Sequence, residues 1–246
     1  MNIAILMWYD DNIKYYADNF YEINKKYTKK HGYTLIKSSE RTYTDRKPHW
    51  ERFPLMLKHI ESYDYVMWID ADAHFYVDAP PIENLINKYN KDIILSEDIP
   101  DSKDFAPCIN SGVIIMKNTP KNIDILKKWG YSEELKRRSD SLFNGLVWQD
   151  QGLIRMYVKY NLDNINDISV IVPYLELQHF HAKEISNKTS KPPYIHHYAG
   201  STTKARLKGS KNYLNDTSSF SGGMIAGIVI GSIFLFIILY YLLYRK

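Results

Sequence analysis

Asp70 and Asp72, separated by a single alanine, stand at the end of the apolar run Tyr65–Ile69. On a continuing strand, residues two apart face the same side, and two carboxylates on one side repel unless a cation joins them. A hard divalent ion with oxygen ligands, often shared with phosphates, resolves that repulsion. An Asp-x-Asp is also a common polar end to a strand, so the surroundings must decide. The run before it mixes valine, methionine, tryptophan and isoleucine without helical spacing, which reads as a buried strand. In open α/β sheets, ligands sit at the carboxyl ends of such strands.

Three further stretches carry residues of chemical interest. "INSGVIIMKNT" (109–119) places Asn110, Ser111 and Gly112 at the start of another apolar run. "WQDQGLI" (148–154) brings Asp150 and Gln151 to the start of a helical pattern, where Asp150 could be an N-cap. "YIHHYAGSTTKARLK" (194–208) contains His196, His197 and, beyond Gly200, Lys204.

The elements that must position these residues follow from periodicity. "NIAILMWY" (2–9) reads as a first buried strand, residues 12–31 as a helix stopped by His31-Gly32, and "YTLIKSS" as a second strand. That βαβ opening implies parallel pairing. A helix over 49–62 delivers the chain to the Asp-x-Asp strand. Beyond it come a helix "IENLINKY", strands in "KDIILSED" and "INSGVIIMK", a helix over 120–138, a helix from near Asp150 and a strand in "DISVIVPYLEL". Strands alternating with helices over about 200 residues give an α/β domain.

In order and spacing, the four stretches resemble the retaining glycosyltransferases of the GT-A fold. The resemblance is closest to family 34, the galactosyl-, mannosyl- and xylosyltransferases, with glycogenin-like family 8 next, and it covers roughly residues 1–205. It implies a Rossmann-like mixed sheet flanked by helices, and transfer of a hexose or pentose from a nucleotide-diphosphate sugar to a hydroxyl of a glycan, protein or lipid-linked acceptor, with retention. Asp70 and Asp72 match the motif that holds Mn2+ (or Mg2+) against the donor diphosphate. His197, in "HYAG", matches the third protein ligand, with His196 as the competing candidate; an imidazole beside two carboxylates suits Mn2+ better than an all-oxygen Mg2+ site. The resemblance further implies that Asn110 and Ser111 meet the sugar, that Asp150 contacts a sugar hydroxyl, and that Gln151 lies under the anomeric carbon, where its amide oxygen could stabilise developing positive charge. Lys204 is the nearest match to a lysine that grips the leaving diphosphate, though it falls later than the usual spacing. Arg52 falls where this fold often places a basic residue near the nucleotide or phosphates. Inverting transfer would instead need a carboxylate base, for which Glu97 and Asp98 are the candidates.

Two other functions compete. Asp-x-Asp is also the nucleophile motif of haloacid-dehalogenase-like phosphatases, but that pattern wants Thr or Val where position 74 is His, and it usually lies on the first strand. A membrane-tethered sugar-nucleotide or glycan binder without turnover is the non-enzymatic alternative.

Composition bounds the rest. Lys and Arg number 32 against 28 acidic residues, for a net charge of +4, and no Lys/Arg stripe interleaved with stacking aromatics suggests nucleic acid. Cys108 is the lone cysteine, so no internal disulfide forms, which favours a reducing compartment. "MIAGIVIGSIFLFIILYYLLY" (224–244) is long and apolar enough to span a bilayer as a helix. The chain therefore divides into a catalytic domain over 1–208, a polar linker over 209–221 and a transmembrane anchor over 222–244. The N-terminus lacks a signal-peptide pattern, and Lys204, Arg206, Lys208 and Lys211 outnumber Arg245 and Lys246 across the anchor. Both points place the domain in the cytosol, held by its C-terminal segment. The sequons at Asn187 and Asn215 argue the other way.

Overall fold

The structure, a computed structural model, describes residues 1–98, 107–142, 149–180 and 193–215. The anchor expected over 222–244 and the Asn187 sequon lie outside them. No helix among the described residues is long and apolar enough to cross a membrane.

Among the described residues the six expected strands appear with their helices, and three short strands, Ala73–Phe75, Gln178–His179 and Ile195–His197, are added to them. In chain order they are β1 (Ile3–Trp8), α1 (Lys14–His31), β2 (Thr34–Ser38), α2 (Arg52–His59), β3 (Tyr65–Ile69), β4 (Ala73–Phe75), α3 (Ile82–Tyr89), β5 (Ile93–Glu97), β6 (Ile109–Lys117), α4 (Pro120–Tyr131), α5 (Glu133–Leu142), α6 (Gln149–Lys159), α7 (Ile165–Ile168), β7 (Ser169–Val172), β8 (Gln178–His179) and β9 (Ile195–His197). A further helix runs over 203–215.

Six strands form the main sheet in the order β2-β1-β3-β6-β5-β7. Only β6 runs antiparallel to its neighbours β3 and β5, so the sheet is mixed. Alternate residues of β1 and β3 divide between two cores, as strand geometry requires. Ile3, Ile5, Met7, Tyr65 and Met67 pack with Phe20 and Ile23 of α1 and Leu85 of α3. Ala4, Leu6, Val66 and Trp68 pack with Phe53 of α2, Trp129 of α4 and Leu153 of α6. The result is a helix–sheet–helix sandwich whose central strands β1, β3, β5 and β6 are buried on both faces, which is why they read as unbroken apolar runs.

Three expectations need correcting. The helix expected over 120–138 is two helices, because Ser132 adopts an extended conformation (φ −81°, ψ 106°). Just before it, the Gly130 carbonyl accepts hydrogen bonds from the Tyr43 hydroxyl (2.7 Å) and from Arg46 Nη1 (2.6 Å). The linker expected from residue 209 is helical as far as 215. That helix packs on the domain: a Cβ at Gly209 would overlap the Tyr198 ring, Asn19 Nδ2 donates to Ser210 Oγ (3.1 Å), and Val77 N donates to the Tyr213 hydroxyl (2.7 Å). Finally, β3 stops at Ile69 and a turn follows at residues 71–72, so strand alternation is not what turns Asp70 and Asp72 toward each other.

A second sheet, β4-β9-β8, stands beside the first. It is tied to α1 by Asn24, which is fully buried. Asn24 Nδ2 donates to the Ala73 carbonyl (3.0 Å) and its Oδ1 accepts from Phe75 N (3.0 Å). Truncation would leave a buried donor and a buried acceptor unpaired, each worth roughly 1–3 kcal/mol. We expect Asn24→Ala to lower unfolding stability by about 2–4 kcal/mol in denaturant titration. A loss below ~0.5 kcal/mol, the range of a neutral surface change, would mean that β4 is held by other means.

Candidate active site

The turn after β3 places the two aspartates. Asp70 N donates to the Gly112 carbonyl on β6 (2.9 Å), and Ala73 N closes the turn on the Asp70 carbonyl (3.0 Å). Each carboxylate has one oxygen fixed from outside. Asp70 Oδ1 accepts from Trp68 Nε1 (2.7 Å) and lies 3.3 Å from Arg52 Nη2. Asp72 Oδ2 lies 2.8 Å from Arg206 Nε. The other oxygens face His197 Nε2, Asp70 Oδ2 at 3.6 Å and Asp72 Oδ1 at 3.3 Å.

His197 arrives on β9, whose antiparallel pairing with β4 sets Ala73 opposite His197. Tyr198 N then donates to the Asp72 carbonyl (2.9 Å), so the small sheet clamps both sides of the Asp-x-Asp turn. Strand alternation sends His196 to the opposite face, where it stacks on His179 and Tyr198; of the two histidines, His197 is the one at the acids. Gly112 lies against its ring, and a Cβ there would overlap both the ring and the Asn110 side chain. Gly200 (φ 66°) turns the chain from β9 toward the 203–215 helix, which carries Arg206 back to Asp72.

The ligand atoms of Asp70, Asp72 and His197 lie within 4.8 Å of one another, a spread that one divalent ion with bonds of about 2.0–2.6 Å can span. Two carboxylate oxygens and one imidazole nitrogen converge, while the remaining carboxylate oxygens are already engaged. The donor set fits a divalent metal.

Behind the trio lies a second group of charges. Buried Arg52 joins the two halves: its Nε lies 2.8 Å from Asp150 Oδ2, its Nη2 reaches Asp70, and its Nη1 donates to the Ser111 carbonyl. Asp150 sits in the first turn of α6, inside the helix rather than at its cap, with Ser111 Oγ at 3.4 Å and His49 Nε2 at 3.5 Å. Gln151 Oε1 accepts from Ser111 N (3.0 Å) and Ser111 Oγ (3.3 Å), while its Nε2 donates to Asp98 Oδ2 (3.3 Å). Because Ser111 N can only donate, the amide's orientation is determined.

The residues selected from the sequence thus converge, Lys204 apart. Arg52 binds two acids rather than standing free for phosphates. The Asn110 side-chain oxygen accepts from Gly112 N (2.9 Å) and Gln178 Nε2 (3.1 Å), so it braces the site from within. Lys204 is exposed, and the cation at Asp72 is Arg206. Sequence reasoning missed Arg206, which stands in the basic stretch read as flanking the anchor. It also missed buried Arg155, whose Nη2 lies 3.5 Å from Asp98 Oδ2, and Gln178, which no motif marks.

The model of the nucleotide-diphospho-sugar transferase family matches residues 23–208. The chain belongs to this family. Among solved structures it is similar to a glycosyltransferase involved in the glycosylation of the major capsid of PBCV-1, at 17% identity and a TM-score of 0.63 over 86% of this chain and 99% of that one. It is also similar to the galactosyltransferase LgtC, solved with donor and acceptor sugar analogs, at 12% identity and a TM-score of 0.53 over 88% and 95%. At these identities the likeness establishes the fold, the mixed α/β GT-A architecture. No curated protein matches the chain. It is a glycosyltransferase of the nucleotide-diphospho-sugar class, and nothing in these matches supports the phosphatase or the non-catalytic binder.

The electrostatics of the trio have a defined sign. Burial would lower the His197 pKa, but the hydrogen bond and charge of Asp72, with Asp70 and Asp98, raise it above its ordinary 6.5. Burial would raise Asp72, but the hydrogen bond and charge of His197, with Arg206, hold it below 3.8. The raised group stabilises the metal-free fold below pH 6.5 and loses that contribution as pH rises through its folded pKa. The depressed group contributes above pH 3.8 and loses it as pH falls through its own. A metal must displace the proton from His197 Nε2. We therefore expect Mn2+ affinity to fall as pH drops below the raised His197 pKa, with proton release on binding. Calorimetry in buffers of different ionisation enthalpy measures both, and affinity independent of pH would exclude His197 as a ligand.

Proposed function

We propose that the protein is a Mn2+-dependent retaining glycosyltransferase, moving a hexose or pentose from a nucleotide-diphosphate donor to a hydroxyl of a glycan, protein or lipid-linked acceptor. The observation that carries the reading is the convergence of Asp70, Asp72 and His197 at the carboxyl end of β3 in a chain of this family. These three residues would hold the ion, and a bound divalent cation supplies charge neutralisation for a leaving diphosphate. The nitrogen ligand favours Mn2+ over Mg2+.

The chain's own residues do the rest. Arg206, beside Asp72, brings a planar guanidinium whose paired donors suit phosphate oxygens. It replaces Lys204 as the candidate cation for the leaving group. Asp150, oriented by Arg52 and His49, presents a carboxylate suited to a sugar hydroxyl. Gln151 is held by Ser111 and Asp98, which fixes the amide dipole before any substrate arrives; such preorganisation is what makes a dipole effective on developing charge. Retention is supported by the state of the two candidate bases: Glu97 Oε2 accepts from Tyr174 N (2.9 Å), and Asp98 is tied to Gln151 and Arg155. The apolar stretch 222–244 supports attachment to a membrane, and the basic residues preceding it support a cytosolic catalytic domain.

The test is turnover of a panel of nucleotide sugars with Mn2+, read as released nucleotide. EDTA should abolish it and Asp72→Asn should reduce it by orders of magnitude; full activity in EDTA would sink the metal assignment. Arg206→Ala should lower kcat roughly 100-fold, as for loss of one preorganised donor at a charge-developing site, with Lys204→Ala nearly silent; the reverse ranking would restore Lys204. An α-linked donor should give an α-linked product by NMR. An inverted product would promote Asp98 or Glu97 to base. Protection of the domain from protease in sealed vesicles would place it on the lumenal side.

A further inference from the structure

His197 can meet a metal through Nε2 only if its remaining proton stays on Nδ1, and the structure contains a device for keeping it there. Gly112 N–H is a backbone donor, so the Asn110 atom 2.9 Å away is the amide oxygen. That same oxygen meets one end of the Gln178 amide at 3.1 Å, and two carbonyl oxygens would repel there, so this end is the NH2. The other end of Gln178, its carbonyl oxygen, therefore faces His197 Nδ1 at 3.0 Å. An acceptor opposite that nitrogen requires it to carry the hydrogen. Gln178 is fully buried on β8, alongside β9, and a flipped amide would place oxygen against oxygen and NH2 against a ring nitrogen.

We propose that Gln178 is a positioning residue that holds the proton of His197 on Nδ1, so that Nε2 is the nitrogen surrendered to the metal between Asp70 and Asp72. The inference rests on the metal site of the proposed function. Packing and tautomer are governed separately: Gly112 and Phe180 fix where the ring lies, and Gln178 fixes which nitrogen is bare. An outer partner of this kind typically changes metal affinity by roughly 10–100-fold.

The full chain with Gln178→Leu or Gln178→Glu separates this role from a structural one. Both substitutions remove the hydrogen bond to Asn110, but only glutamate retains an acceptor for Nδ1–H. Mn2+ affinity, followed by electron paramagnetic resonance of the free ion, should fall about 10–100-fold in Gln178→Leu and stay near the unmodified value in Gln178→Glu. In the chain loaded with Zn2+ as a diamagnetic stand-in, a slowly exchanging Nδ1–H resonance of His197 should appear in the unmodified protein and in Gln178→Glu. Equal losses in both variants, or no such resonance in the unmodified chain, would overturn the role of Gln178 while leaving the metal site standing. Failure of the unmodified chain to bind any divalent ion would remove the metal site itself, and this inference with it. If Gln178→Leu does not fold, the resonance in the unmodified chain and the affinity of Gln178→Glu decide.

Discussion

His197 Nε2 faces one oxygen of Asp70 and one of Asp72 at 3.6 and 3.3 Å, and much of the neighbouring structure serves to keep that triangle closed. Taking a carboxylate even partly out of water is costly unless its charge is met, and here two half-buried ones must be brought together. The outer oxygens are restrained from different elements: by the Trp68 N–H of β3, and by the guanidinium charges of Arg52 from α2 and Arg206 from the 203–215 helix. Each tether turns its carboxylate so that the second oxygen points inward. The acids are therefore preorganised in a geometry that their mutual repulsion would otherwise oppose.

The fold supplies this arrangement through two junctions. At the first, antiparallel β6 lies beside β3, and its Gly112 carbonyl receives Asp70 N. The same residue lets the His197 ring lie against the backbone. At the second, β4 leaves the Asp-x-Asp turn and pairs at once with β9, so Asp72 and His197 are separated by 125 positions in sequence but held together across one rung of a sheet. A six-stranded sheet alone would present the acids. The small sheet closes the site over them.

Much of this was legible in the residues. The strands buried on both faces announced themselves as apolar runs, and Asp-x-Asp, Asn-Ser-Gly, Asp-Gln and His-Tyr-Ala-Gly are local patterns whose residues do meet. What was not legible depends on long-range placement. Arg206 is one basic residue among several in its stretch, and only the turn at Gly200 and the packing of Gly209 on Tyr198 decide that it, rather than exposed Lys204, reaches Asp72. Gln178 stands in a two-residue strand whose pairing no periodicity reveals. The commitment of the Asn110 oxygen to Gly112 and Gln178 is also invisible in its local pattern. The break at Ser132 likewise follows from Tyr43 and Arg46, which approach Gly130 from some 85 residues away.

The distribution of charge connects the ion to the substrate. Asp70, Asp72, Asp98 and Asp150 stand against Arg52, Arg155 and Arg206, with His197 set between Asp70 and Asp72. A divalent cation held there, as proposed above, would add positive charge in a region where burial weakens screening. A diphosphate arriving with negative charge would then meet a site that favours it more than the metal-free site does. Arg206 would respond in the same sense, since a cation on Asp72 would weaken its hold on that carboxylate and make a phosphate the better partner. Ion and nucleotide should consequently favour each other's binding, and linkage requires that the effect be mutual.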